Sequence, residues 1–390
     1  MQKLSIAILI GLIAGIIIGV ILVIPNPQNS FNVSDIKDHY YDTKTEEEST
    51  DNSDTSKKHQ HLKITELKVA TYFSRDLADS GYISKRLESK IKIMSNSQLL
   101  LTMKEPGTLV PPNKIFNAVK SGTIQAGFSP AEGWGHQVPA LQLLSSMPFG
   151  PLPSEYLTWF YAGTGQKTYQ VLLKKQNMHL LICGMTQTHS SGWFKKPINT
   201  LNDLKSATIS VNGLAAKVIK KLGTKVIFAK TENSLNTIKS KKVEGMLSSN
   251  PQDDLNKEVN KIANYYYLPS WHDPVKFFYL IINLATWDRL ETNQKNQIES
   301  ACGDNLVYGQ AISHQNKLNL LKNLTKKNVQ LKIWPPKVLK ALNDSWNLIS
   351  IKESKKDYYF KKIIHSLQMF RQEYQISREL SKPVLSHTNK

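Results

Sequence analysis

SATISVNGLAAKVIKKLGTKVIFAKTENSLNTIKSKKVEGML, residues 206–247, changes its hydrophobic period four times. Ser206–Val211 reads as a short strand. Leu214, Val218 and Leu222 then recur at helical spacing and mark one face of a helix that stops at Gly223. Val226–Ala229 returns to strand, Ser234–Ser240 reads as a short helix, and Val243–Leu247 as a third strand. Strands alternating with short helices predict a mostly parallel sheet with helices on its faces.

The same grammar stands upstream. Leu67, Val69, Thr71 and Phe73 alternate with Lys68 and Ala70 as a first strand, followed by a helix over Leu77–Ser89 and a second strand at Ile91 and Ile93. Pro111-Pro112-Asn113 opens a helix with Ile115, Phe116 and Val119 on one face; Gly122 ends it, and Thr123–Phe128 is again a strand. Two βαβ lobes therefore lie on either side of about residue 190, and the chain is mainly helical from about Gln294.

Residues Leu4 to Ile24 are almost unbroken apolar sequence. About 20 residues at ~1.5 Å rise cross a ~30 Å hydrocarbon core. The run ends in Pro25-Asn26-Pro27 with no small-x-small cleavage site and no cysteine for a lipid anchor, so 1–25 reads as an uncleaved transmembrane or signal anchor. Lys3 ahead of the run, with no basic cluster behind it, orients the N-terminus to the cytoplasm. Gly11, Gly15 and Gly19 have the spacing of close helix contacts in membranes, although glycine is common in such spans. Residues 26–64 are polar and charged and read as a disordered tether. A coil of about 38 residues spans roughly 35 Å. His59 and His61 within it could bind a metal ion weakly, and polar filler is the plainer reading. The ordered part is then 65–380, with a first lobe at about 65–188, a second at about 189–290, a helical part at 291–380, and a disordered tail at 381–390.

The net charge is +19, but the lysines are scattered along helices and no nucleic-acid motif accompanies them, so no nucleic-acid partner is expected. Cys183 and Cys302 are too few for a disulfide framework or a cysteine zinc site. A single bridge is open to them, and two small buried hydrophobes is the plainer reading. A two-lobed α/β protein outside the membrane commonly closes around a solute in the cleft between its lobes.

Four segments then carry a resemblance. Pro106-Gly107-Thr108-Leu109-Val110-Pro111 with Ala118-Val119-Lys120-Ser121-Gly122-Thr123-Ile124, Met147-Pro148-Phe149-Gly150, Gly192-Trp193-Phe194-Lys195-Lys196-Pro197-Ile198 with Asp203-Leu204-Lys205, and Tyr265-Tyr266-Tyr267-Leu268-Pro269-Ser270-Trp271 with Asn283-Leu284-Ala285-Thr286-Trp287 occur in that order. Over about Glu66 to Gln375 the chain resembles the solute-binding proteins of TRAP transporters (DctP type), and most closely their 2-oxo acid-binding branch. The resemblance implies a two-lobed periplasmic-binding-protein-like α/β fold (type II) with C-terminal helices. It also implies delivery of a small organic solute to ion-driven TRAP permease subunits, on the periplasmic side of the bacterial inner membrane. No nucleotide is consumed, in keeping with the absence of a phosphate-binding Gly-x-x-x-x-Gly-Lys-Ser/Thr loop.

The cleft departs from that family. The arginine that the family sets against a ligand carboxylate falls on Ser210, which supplies neither charge nor a bidentate fork. A glutamine position falls on His189, and a Glu-Trp pair on Leu247-Ser248, ahead of Asn250-Pro251; leucine cannot coordinate a cation. The aromatic cluster of the first lobe falls on Glu132-Gly133-Trp134. A metal-chelated 2-oxo acid is therefore not the expected ligand, and no metal or cofactor is expected. Trp134, Trp193 and Trp271 are candidate walls, with His189, Ser210, Asn212, Ser248, Asn250 and His272 as hydrogen-bond groups. Glu132, if it faces the cleft, would favour a cationic or polyhydroxyl ligand. Each has a plainer alternative: Trp193 as packing between lobes, His189 as a satisfied loop histidine, Glu132 and Lys217 as solvated surface.

Three functions compete: a TRAP solute receptor, a membrane-tethered adaptor or sensor derived from one, and an enzyme built on His189-Ser190-Ser191. The enzyme reading is weak, because adjacent strand residues do not face each other and no Gly-x-Ser-x-Gly elbow is present. The segment Lys355–Leu380 reads as a helix with Tyr359, Ile363, Leu367 and Phe370 on one face. That face either pairs two copies into a homodimer or packs back on its own lobe.

Overall fold

The protein was analysed as a computed structural model, which describes residues 64–77, 80–187, 190–228, 234–247 and 251–380. The expected anchor, nearly all of the tether and the tail lie outside the described residues. Among the described residues no helix is long and apolar enough to cross a membrane.

Two sheets form the frame. The first has the order β2-β1-β3-β10-β4, with β1 Thr65–Thr71, β2 Leu99–Lys104, β3 Ala126–Ser129, β4 Met178–Gln187 and β10 Val275–Asn283. The second has the order β11-β9-β5-β8-β6-β7, with β5 Gly192–Phe194, β6 Thr208–Ser210, β7 Lys225–Ile227, β8 Gly245–Leu247, β9 Tyr265–Leu268 and β11 Gln330–Ile333. The expected parallel pairing holds for β1 with β2 and β3, and for β6 with β7 and β8. Each sheet also takes a strand that enters from the other: β10 is antiparallel to β3 and β4, and β5 to β8 and β9. The chain passes from the first sheet to the second between β4 and β5 and returns at 269–274, so strands on either side of a crossing run against the local βαβ direction. The same crossing corrects the lobe limits. β10 falls within 189–290 yet completes the first sheet, and β11, from the stretch read as helical, edges the second.

Seven longer helices cover the sheets: α1 Ser80–Met94, α2 Ile115–Ser121, α3 Gly165–Lys174, α4 Gly213–Lys221, α5 Thr292–Lys326, α6 Pro336–Ser354 and α7 Tyr358–Leu380. Ile91 and Ile93 lie inside α1 rather than on a strand. Ile83, Leu87 and Ile91 recur at helical spacing and are fully buried, so the continuous stripe overrides the β-branched pair read locally. The second strand begins eight residues later at Leu99, with alternating burial. Gly122 closes α2 in the left-handed region at φ 79°.

One core packs α1 and the start of α5 on a face of the first sheet, through Leu67, Val69, Ile83, Leu87, Phe128 and Ile298 among others. A second, around Trp193, Met246, Leu255 and Tyr266, fills a face of the second sheet. A third runs through both lobes and under α6 and α7, from Val119 and Tyr279 to Phe194, Ile209, Trp334 and Phe360. On α7, Ile363 and Leu367 are buried in that core, and Tyr359 and Phe370 pack against it.

Cys183 on β4 and Cys302 on α5 form a disulfide, which corrects the reading of two separate buried thiols. Topology brings them together: α5 lies along β4, and Asn305 donates to the carbonyl oxygens of Cys183 (2.7 Å) and Ile83 (3.1 Å). Gly309, one turn on, has no room for a side chain, since a Cβ would sit 2.5 Å from the Met185 carbonyl oxygen.

Candidate functional site

The carboxyl ends of parallel strands are where open α/β sheets bind ligands. Here those ends, from β1 and β3 in one lobe and β6 and β8 in the other, meet the two crossing segments. The sequence candidates Glu132, Ser210, Asn212 and the Trp271-His272 pair all lie on these ends and crossings. His189, Ser248 and Asn250 lie outside the described residues.

The crossing at 269–274 is an internally braced turn. Ser270 Oγ accepts from the Asp273 backbone N–H (3.2 Å), donates to the Asp273 carbonyl (2.9 Å), and stands 3.4 Å from His272 Nδ1. Ser191, on the other crossing, donates to the Pro269 carbonyl (2.8 Å) and accepts from Trp334 Nε1 (2.8 Å). Its hydroxyl is thereby committed to holding the two crossings together and is not poised as a nucleophile. The Phe149 N–H donates to the Trp271 carbonyl (2.6 Å), and the two rings lie 5.8 Å apart, which fixes the indole at the site.

An ionic cluster follows this turn. Lys276 pairs with Glu132 at 2.5 Å, with the lysine side chain 12% and the glutamate 33% exposed. Glu132 is thus half-buried and committed to a partner, not simply solvated. Burial works against the Lys276 charge, but Glu132 and Asp273 hold the ammonium above the usual lysine range. Burial pushes the Asp273 carboxyl up to about 7 against the pull of Lys276, and Glu132 adds to the rise. Burial alone brings the His272 imidazole down to about 3, so it is neutral at physiological pH.

Several buried polar atoms here have no partner within the protein: Ser129 Oγ at the end of β3, Ser210 Oγ at the end of β6, and Trp271 Nε1 and Asp273 Oδ1 on the second crossing; Ser190 Oγ on the first crossing faces the buried Tyr266 hydroxyl instead. Native proteins satisfy nearly all such groups, so these atoms at strand ends and a crossing are candidates to meet a polar guest.

Other candidates take structural roles. Trp193 is fully buried in the core of the second lobe, where its Nε1 donates to Asp254 Oδ2 (3.0 Å) and its ring meets Tyr266 edge-on at 4.7 Å; it is a packing residue of that lobe. Trp134 is buried against Phe116 (5.3 Å) and Tyr279 (5.6 Å). Asn212 is exposed just ahead of α4. Lys217 is engaged, not merely solvated: its Nζ donates to Gln142 (3.1 Å) of the first lobe and to Glu353 (2.9 Å) on α6. Asp273, Lys276, Ser129 and Ser190 were not among the sequence candidates for binding. The first two carried a readable signal, as charges beside and within the otherwise apolar run of β10.

Comparison with known proteins places these features in a family frame. Residues 76–352 match the DctP model, described as bacterial extracellular solute-binding protein, family 7. A monocarboxylate 2-oxoacid-binding periplasmic protein from Nostoc sp. is 25% identical over 293 residues, 74% of this chain and 80% of the relative. A TRAP transporter solute-binding protein from Bordetella bronchiseptica, solved with calcium and picolinate, superposes with a TM-score of 0.77 at 20% identity, covering 82% of this chain and 95% of that one. Another from Colwellia psychrerythraea, with bound calcium and pyruvate, gives 0.73 at 24% identity, covering 82% and 98%. At these identities the solved structures carry the fold.

Proposed function

Since this chain belongs to the DctP family of bacterial extracellular solute-binding proteins, we propose that its two lobes close on a small polar organic solute and present it to TRAP-type permease subunits. The observation that carries this reading is the set of unpartnered buried polar atoms at the strand ends and the second crossing between the two sheets. Two short crossings, α5 and the α6–α7 pair join the two lobes, and hinge closure about such connections removes a guest from water. No chemical step is required, and the family is one of receptors, not enzymes. The adaptor reading rests on Ser210 and on the uncleaved anchor read at the N-terminus, and the extent of the family match weighs against it.

We place the ordered part on the periplasmic side of the inner membrane, held by the apolar run at residues 4–24 as an uncleaved anchor. The family supports the compartment. A Cys183–Cys302 bridge suits an oxidising one. Fractionated cells should keep the chain in the membrane pellet through a salt wash; a mature soluble form starting near residue 26 would remove the anchor. Residues 26–64 then serve as the tether.

The receptor reading is tested by a thermal-shift screen against carboxylates, sugars, polyols, amino acids and polyamines, each with and without calcium or sodium. A ligand at ~100 times its dissociation constant adds about 2.7 kcal/mol, a rise of a few degrees. A folded protein that responds to no class would refute it.

A further inference from the structure

The receptor reading leaves the solute class open, and the geometry around the second crossing narrows it. Asp273 is 6% exposed and Trp271 3%, yet Asp273 Oδ1 and Trp271 Nε1 have no partner within the protein. The two residues stand two apart on a turn braced by Ser270 and Ser191. Oδ1 of a carboxylate asks for a donor, and an indole N–H asks for an acceptor. The serine hydroxyls of residues 129 and 210, at the ends of β3 and β6, can serve as either.

Charge narrows the class further. The cation beside Asp273 is Lys276, already paired with Glu132 at 2.5 Å. The position where the family resemblance puts an arginine is Ser210, wholly buried. A ligand carboxylate would satisfy Trp271 but would meet Asp273 and Glu132 as like charges, with no uncommitted cation among the described residues of the site. An ammonium would satisfy Asp273 and leave the indole N–H without an acceptor. A hydroxyl both donates and accepts, and brings no charge into a buried site.

On the premise of the receptor reading, we infer that the cleft takes an uncharged, polyhydroxylated solute whose hydroxyl groups donate to Asp273 Oδ1 and accept from Trp271 Nε1. The raised Asp273 carboxyl agrees with an environment that resists negative charge.

The test compares solute classes on the full chain by thermal shift and calorimetric titration, using glucose, mannitol and myo-inositol as neutral probes, pyruvate with and without calcium, and putrescine. At least one neutral probe should bind, with pyruvate and putrescine weaker. Asp273→Asn and Trp271→Phe should each weaken the neutral probe about tenfold, as for one buried hydrogen bond lost. The comparison among classes on the unaltered chain stands even if a variant fails to fold. Binding of pyruvate or putrescine alone would overturn the inference and leave the receptor reading intact. A neutral probe bound equally well by both variants would overturn the placement at Asp273 and Trp271. Silence from every class would overturn both readings.

Discussion

Breaking the Cys183–Cys302 bridge should cost this protein several degrees of thermal stability. The bond closes a loop across a sequence separation of 119. A cross-link of that span removes roughly 16 cal/mol/K from the unfolded chain, about 5 kcal/mol at 25 °C, while measured native bridges fall at about 2–5 kcal/mol. Unfolding entropy near ~2.1 cal/mol/K per residue over roughly 300 ordered residues amounts to about 0.6 kcal/mol/K. The midpoint should therefore fall by about 3–8 °C. Reduction of the native chain is the cleanest perturbation, because two thiols fill almost the volume of the bridge and Asn305 keeps its carbonyl partners on β4 and α1. The assay is urea unfolding with and without reductant, with Cys302→Ser as a confirming variant. Reduction should lower the midpoint and also steepen the urea dependence, since a freed unfolded chain exposes more surface. In a parallel thermal melt, a midpoint unmoved within about 1 °C, with free thiols confirmed, would refute the loop-entropy argument for this bridge.

The neighbouring His272 and Asp273 should pull stability in opposite directions with pH. His272 is held at about 3, below its ordinary 6.5, so its contribution is present above 6.5 and is lost as pH falls toward 3. Asp273, beside Lys276 and Glu132, is raised from 3.8 to about 7, so its contribution is present below 3.8 and is lost as pH rises through 7. Between about pH 4 and 6.5 the two offset. His272→Gln should make urea stability rise on acidification from 7 to 4, and Asp273→Asn should make it fall; parallel profiles for both variants would discredit the assignment. Trp193→Phe should cost about 1–3 kcal/mol by leaving a partner of buried Asp254 unmade, with solute affinity unchanged in titration. Ser210→Arg should raise affinity for small carboxylates such as pyruvate, as a guanidinium at the end of β6 supplies the missing fork; no gain would mean that this side chain faces away from the cleft.

The βαβ grammar around 206–247 was legible because each element there buries one face, and β6, α4, β7 and β8 lie within a few residues of their expected limits. The errors come from long-range choices. Ile91 and Ile93 read as strand until α5 and the first sheet supply the surface that buries Ile83, Leu87 and Ile91 on one helical face. The membership of β10 in the first sheet depends on the chain returning between lobes, which no local period encodes. Of the candidate site, sequence reading picked out Glu132, Ser210 and Trp271, which lie at or near strand ends and a crossing, but it could not reach the electrostatics. Lys276 on β10 pairs with Glu132, in the turn after β3, although the two are more than 140 residues apart in sequence. Trp193 illustrates the other side: a tryptophan in a family motif invites a binding role, but packing was its plainer reading, and its indole N–H is committed to Asp254.

The 35-residue helix α5 sets a limit on how the lobes can part. At ~1.5 Å per residue it is a rod of about 52 Å. Its early part is stapled to β4 by the disulfide and sealed there by Asn305 and the close approach at Gly309; its far part supplies Leu320 and Leu324 to the core of the second lobe. With two chain crossings beside it, and α6 and α7 reaching from the second lobe to the first, the second lobe is guided like a door on fixed straps. It can swing, but it cannot slide along the first lobe without bending the rod. Opening must then appear as flexure concentrated between the staple and Leu320, a segment whose amide exchange should report the position of the door while the flanking stretches stay silent.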